Sequence, residues 1–190
     1  MKPEFYKDVD AALERIAIHI RRTPVEFSHS MSNSSGCKVL LKLENLQVTG
    51  SFKARGAVNK MSLLALENPE KIITASSGNH GSAVAYASKI LELDSLIFLP
   101  ETVSSAKLSK IEQFGAQVHI EGKDSGDAEQ AARAYALKHG YPYVPPYNDY
   151  DVIAGQGTIA AEVSQQVSGI DAVFIAVGGG GLISGIGGYL

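Results

Sequence analysis

Between residues 71 and 139 the chain alternates short apolar runs with longer helical stretches, and that alternation limits the fold more than any other feature. The runs at 71–74, 95–99 and 117–120 read as strands, and the stretches at 79–91, 104–114 and 124–139 carry helical patterning. Strands that return through a helix lie parallel, because a parallel neighbour needs a crossover where an antiparallel one needs only a turn. The expectation is an α/β unit on a parallel sheet. The strands recur roughly 23 residues apart with no sequence self-similarity, so a solenoid has no support.

Upstream, Val9, Ala12, Leu13, Ile16, Ala17 and Ile20 recur at three- and four-residue spacing, which predicts a helix over 8–20 ended by Pro24. A run at 39–43 reads as a strand feeding a polar loop at 44–50, after which Ser51 can start a helix. Downstream, a loop rich in Pro and Tyr at 141–150 is the expected crossing between domains. A helix at 153–167, a buried strand at 172–177 and a glycine run leading into a last helix follow. The expected units are 1–47 as the first part of a larger domain, 48–146 as a small α/β domain, and 147–190 as the start of the larger domain's main part. No stop signal follows the last helix, so the chain is expected to be truncated at Leu190.

Composition narrows the function classes. In 190 residues, 45% hydrophobic and 19% charged, the balance is that of a folded chain. A formal charge of -3 with scattered Lys and Arg gives no basic stripe for nucleic acid, which leaves a small molecule as the expected partner. A single cysteine, Cys37, cannot form an internal disulfide or a cysteine-rich zinc site and fits a reducing cytoplasm. His19, His29, His80, His119 and His139 are dispersed, so no metal is expected. No apolar run approaches the roughly 18 residues of a membrane span, and the start of the chain lacks a signal-peptide core.

Three segments carry chemistry. In QVTGSFKARGA, residues 47–57, Thr49, Gly50 and Ser51 can turn the chain so that a helix begins close to Lys53. A helix start disfavours an ammonium ion and Arg55 adds like charge, so the amine is expected to lean toward its nucleophilic form. On this segment alone, Lys53 also reads as an ordinary solvated lysine. In TASSGNHGSA, residues 74–83, an apolar strand runs into a turn of small residues and then a helix, with backbone amides placed for a carboxylate. An ordinary capped strand-to-helix turn fits the same residues. In AVFIAVGGGGLISGIGG, residues 172–188, Gly178, Gly179, Gly180 and Gly181 join a strand to a helix and leave room for a phosphate. No Gly-Lys-Ser/Thr ending follows, Ser184 stands where a dinucleotide fingerprint wants glycine, and tight helix-to-sheet packing is the competing reading.

Together these segments resemble fold-type II pyridoxal-phosphate enzymes of the threonine/serine dehydratase and serine racemase family. LKLENLQVTGSFKARGA is similar to the family's cofactor-lysine segment, SSGNHG to its substrate-carboxylate loop, GGGGL to its phosphate cup and IAGQGTIAAEV to the helix before it. The resemblance implies the tryptophan synthase β-like architecture, two open parallel-sheet domains with the larger truncated, and pyridoxal 5'-phosphate as cofactor. It implies Lys53 as the Schiff-base lysine, Phe52 packed on the pyridine ring, Asn79 at the ring's 3-hydroxyl, and Gly178, Gly179, Gly180, Gly181 and Leu182 around the phosphate. Ser76, Gly78, Asn79 and His80 would receive the substrate carboxylate.

The implied activity is that of a threonine/serine ammonia-lyase, which eliminates water from L-threonine or L-serine to give 2-oxobutyrate or pyruvate and ammonia. Serine racemase is the alternative, because racemases use a serine at the position of Ser77 as acid/base on the opposite ring face. Tyr147 sits where mammalian-type racemases tend to have asparagine and favours the dehydratase. Two departures stand out: Val48 replaces a common proline, and the family's chain continues well beyond this length, through the pyridine-nitrogen partner and the racemases' metal site. A homodimer is implied for the full-length protein. A non-catalytic phosphate-binding fragment is the rival of another class.

Overall fold

The computed structural model describes residues 4–190; the first three residues of the expected 1–47 unit lie outside it. Its centre is a three-stranded parallel sheet, β3 (Ile72–Ala75), β4 (Ser95–Leu99) and β5 (Gln117–Ile120), in the order β3-β4-β5. Ile72 pairs with Ser95 and Leu96 with Gln117 at the starts of the two ladders. The segment after the last crossover lies parallel along the free edge of β3, where Ile73 N donates to Pro142 O at 2.9 Å and Val144 N to Ile73 O at 2.8 Å. This short fourth rung delivers the residues after Val144 to the carboxyl end of the sheet, the end at which open α/β sheets bind ligands.

Alternation along β3 explains the layers. Ile72 faces α3 (Lys53–Ala65) and α4 (Asn79–Leu91), in a core with Val58, Met61, Val84 and Val144. Ile73 faces the other way, onto Ala132 and Ala136 of α6 (Ser125–His139). Both isoleucines are fully buried, which stabilises the sheet by about 1.5–3 kcal/mol per side chain. Helix α5 (Ser105–Glu112) packs Ile111 on Ile97 and Leu99, on the face of the sheet that α4 covers with Ala85. Helix α6 starts where Asp124 accepts from Gly126 N and Asp127 N, and ends at Gly140 with φ 70°.

A second layer stands beside α3. Helix α1 (Phe5–Ile16), α7 (Tyr150–Gln166) and α8 (Gly181–Tyr189) pack together, with Phe5, Val9 and Ala12 against Ala154 and Ala161. The crossing of α7 and α8 is close enough that a Cβ on Gly185 would lie 2.5 Å from Ile153 O and 2.6 Å from Gly157 N. Asp149 caps α7 by accepting from the amides of Asp151 and Val152. A two-stranded antiparallel pair, β1 (Val25–Phe27) with β2 (Leu40–Lys42), the short helix α2 (His29–Ser35) and two 3-10 turns, Glu44–Leu46 and Val48–Gly50, complete the elements of the described residues. No described helix is long and apolar enough to cross a membrane.

Two expectations need correction. The first helix ends at Ile16, not at 20, and leaves Ile18 86% exposed. The apolar stretch 172–177 is not a buried strand: it forms no ladder among the described residues, and Phe174 is 97% exposed. An apolar run becomes a strand only where a neighbour accepts its backbone hydrogen bonds, and none of the described residues does so here.

Candidate active site

The turn before α3 is strained. Thr49 has φ 65° and Gly50 φ 77°, followed by the extended Ser51 and by Phe52 at the cap position without a side-chain cap. A β-branched residue in the left-handed region costs about 1–2 kcal/mol, and such strain persists only where surrounding structure fixes it. Its result is that Lys53 begins the helix with its side chain turned inward. Lys53 Nζ donates to Pro146 O at 2.5 Å and lies 5.3 Å from the Phe52 ring centre and 6.0 Å from that of Tyr147. Burial lowers the amine's proton affinity below the ordinary lysine value of 10.5.

Arg55 does not act on Lys53 as the sequence suggested. It is fully buried and forks onto two carboxylates, with Nε and Nη2 at 2.8 Å from Glu44 and Nη1 and Nη2 at 2.7 and 3.0 Å from Glu162. Lys42 Nζ meets Glu162 at 2.5 Å from the far side. With its charge balanced by two anions, Arg55 ties α3 to α7 and to the loop at Glu44 rather than repelling the nearby amine. A charged residue among Ala54, Ala57, Val58 and Met61 was the available sign that this arginine is buried and needs partners, though its partners lie up to 107 residues away.

Between β3 and α4, Ser76 Oγ accepts from Gly78 N at 3.2 Å, and a Cβ on Gly81 would collide with Ser76 O, so the loop folds tightly over the first turn of the helix. Gly78 provides no side-chain cap, and the first-turn amides lie where no earlier helical carbonyl reaches them. Such a helix start suits an anion. Ser76 and Ser77 are half-buried, while Asn79 is exposed at the first helical position. His80 is only 3% exposed; its Nε2 lies 3.1 Å from Val144 O, and Nδ1 has no partner among the described residues. Burial, with the Lys53 charge adding to it, holds the ring down at about 4, so the imidazole is neutral with Nε2–H donating to Val144 O.

The glycine bend reaches this centre through Tyr147. A Cβ on Gly179 would collide with the Tyr147 ring, and one on Gly181 would lie 3.0 Å from Tyr147 Cβ. Gly180 takes φ 86° at the start of α8, a conformation that strains any residue with a side chain. At Gly178 and Gly180 an added Cβ would meet nothing within 4 Å, so the bend packs on Tyr147 with one set of glycines and stays open with the other. Leu182 and Phe52 share an apolar cluster with Ile159, Ala160 and Ile186, beside a cavity of about 720 Å³. Thr49 Oγ1 and Ser51 Oγ, flanking the lysine turn, are buried without partners among the described residues.

Thus Lys53, Tyr147, Gly179 and Gly181 stand in one connected set, His80 lies close enough to sense the Lys53 charge, and Phe52 and Leu182 share a wall. No hydrogen bond joins the side chains of Ser76, Ser77 or Asn79 to Lys53 among the described residues. Sequence reasoning missed the Pro146 carbonyl, which carries no side-chain signal, and the contact of Tyr147 with the glycines.

The family profile described as "Pyridoxal-phosphate dependent enzyme" matches residues 16–190. The chain is 40% identical to the L-threo-3-hydroxyaspartate ammonia-lyase of Saccharomyces cerevisiae, over 95% of this chain and 56% of that one. It is 44% identical to a catabolic L-threonine dehydratase of Staphylococcus aureus, over 94% of this chain and 52% of that one. The crystal structure of a pyridoxal 5'-phosphate-dependent aspartate racemase superposes with a TM-score of 0.89 at 40% identity, covering 96% of this chain and 57% of the other. The chain therefore spans about half the length of the curated relatives it matches.

Proposed function

The chain belongs to the pyridoxal-phosphate-dependent enzymes, of the fold-type II α/β architecture, and on that premise we propose that it serves the elimination of water from a small hydroxy amino acid, L-threonine or L-serine, with release of ammonia. The observation that carries the proposal is the half-buried amine of Lys53, lowered in proton affinity, one side chain away from a glycine bend at a helix start. The residues fit the cofactor: an amine for its aldehyde, a bend that stays open at Gly178 and Gly180 for its phosphate, and an apolar wall at Phe52 and Leu182 for its ring. In this assignment Gly178, Gly179, Gly180 and Gly181 hold the phosphate, Leu182 backs it, and Asn79 faces the ring's 3-hydroxyl.

When bound, pyridoxal phosphate supplies an electron sink for the α-carbon of an amino acid. The chain's own residues do the rest. Ser76, Asn79 and the backbone at Gly78 and His80 receive the substrate carboxylate at the start of α4, which turns the α-carbon toward Lys53. Lys53 Nζ, its proton affinity lowered by burial, takes the α-proton. The proton taken from the α-carbon balances the one with which the β-hydroxyl leaves as water, and the released enamine, through its imine form, adds a water molecule to give 2-oxobutyrate from threonine or pyruvate from serine, with ammonia. Ser77, in the same turn, is the acid/base for racemisation, a second reading favoured by the match to an aspartate racemase.

The test is keto-acid release from L-threonine and L-serine by the protein and by Lys53→Ala. Release by the parent and none by the variant is expected; release by the variant at the parent rate contradicts the assignment.

A further inference from the structure

One four-residue stretch, 144–147, touches all three motifs. Val144 O accepts from Thr74 Oγ1 at 2.7 Å and from His80 Nε2 at 3.1 Å, which fastens the stretch to the end of β3 and the first turn of α4. Two residues on, Pro146 O accepts from Lys53 Nζ at 2.5 Å. The next residue, Tyr147, lays its ring against Gly179 and its Cβ against Gly181. The amine and the glycine bend come from segments more than a hundred residues apart in sequence, and this stretch connects them.

We propose that residues 144–147 form the spacer that sets the separation between the Lys53 amine and the glycine bend, and that Tyr147 is a positioning residue for the phosphate end of the cofactor. The inference rests on the proposed roles of Lys53 and of Gly178 to Gly181, and adds the part that holds them in register. The physical need is clear. Four consecutive glycines carry more backbone freedom than any other sequence of that length, and amides converge on an anion only while the bend keeps one shape. Pro145 and Pro146 fix two φ angles in the spacer, and the tyrosine ring supplies a rigid wall that the missing side chains at Gly179 and Gly181 accommodate. Without the wall the bend spends less time in its binding shape, and apparent affinity falls in proportion: a bend competent a tenth of the time binds about tenfold more weakly.

The test titrates the protein, Tyr147→Ala and Tyr147→Phe with pyridoxal phosphate and separately with pyridoxal, which has the aldehyde but no phosphate. Binding is followed by visible absorbance, and borohydride reduction with peptide mapping confirms Lys53 as the attachment point. The inference predicts that Tyr147→Ala loses about tenfold in affinity for pyridoxal phosphate and nothing for pyridoxal, that Tyr147→Phe keeps both, and that melting temperatures stay close because Tyr147 is 41% exposed. Unchanged affinity for pyridoxal phosphate in Tyr147→Ala, or an equal loss for both aldehydes, overturns the inference and leaves Lys53 in place. A parent protein that takes up neither aldehyde at Lys53 overturns the underlying reading and this inference together.

Discussion

Acidification should cost this protein stability through His80, by an amount that follows from its surroundings. The ring is buried with Nε2–H committed to Val144 O and Nδ1 unpartnered among the described residues, so a second proton would sit in a site without an acceptor and close to the Lys53 charge. An exposed imidazole titrates at 6.5 and this one at about 4. As pH falls between these values the unfolded chain takes up the proton first, so the stability is complete above 6.5 and is lost on the way down to about 4. At about 1.4 kcal/mol per pH unit the loss is ~3 kcal/mol. Replacing His80 by Gln keeps an N–H donor of similar reach and removes the titration. Urea unfolding of parent and His80→Gln near neutral pH and near pH 4 isolates the effect, because the two proteins differ in no other ionisable group. The parent should lose ~3 kcal/mol more than the variant across that interval. Equal losses would refute the account of His80 as a buried neutral donor.

Arg55→Met should destabilise the fold by about 3–5 kcal/mol, because it leaves Glu162, 3% exposed, with Lys42 as its one remaining charge partner among the described residues and Glu44 with the Thr23 hydroxyl. Adding Glu162→Gln should recover part of the loss, and thermal melting decides. At Thr49, with φ 65°, Asn tolerates the left-handed region better, so Thr49→Asn should gain about 1 kcal/mol, and a loss in chemical denaturation contradicts the strain assigned there. Ser77→Ala should abolish racemisation of serine while elimination continues; chiral chromatography of residual substrate checks this.

Much of the sheet unit could be read from the sequence because its signals are local. The strands at 95–99 and 117–120 and the helix at 79–91 fall on the residues that patterning indicates, since each is an apolar run or a helical stripe bounded by its own caps and turns. The elements that escaped owe their structure to distant partners or to caps alone. Strand β1 is three residues with two exposed, held by pairing with β2, and α2 buries nothing, formed between the Ser28 cap and Gly36 at φ 71°. Residues 172–177 misled in the opposite direction, because apolarity signals a preference for burial and only a neighbour can provide it.

At the site, the three motifs and their order were visible. What was hidden was how they are joined. The charge balance at Arg55 depends on Glu162, the state of His80 depends on a carbonyl 64 residues away, and the tyrosine wall depends on a rung of sheet too short to leave a pattern. Each is a long-range contact made by one or two residues, and local periodicity carries no record of it.

The most direct test of the central claim is to reduce the pyridoxal phosphate-treated protein with borohydride and locate the pyridoxyl mass by peptide sequencing. Lys42 is the instructive competitor, a second amine whose proton affinity burial lowers, but one that Glu162 holds. The account predicts the mass on Lys53, at a rate that rises with pH and levels off below the ordinary lysine value of 10.5. Label on Lys42 or on exposed lysines, with Lys53 unmodified, would contradict it.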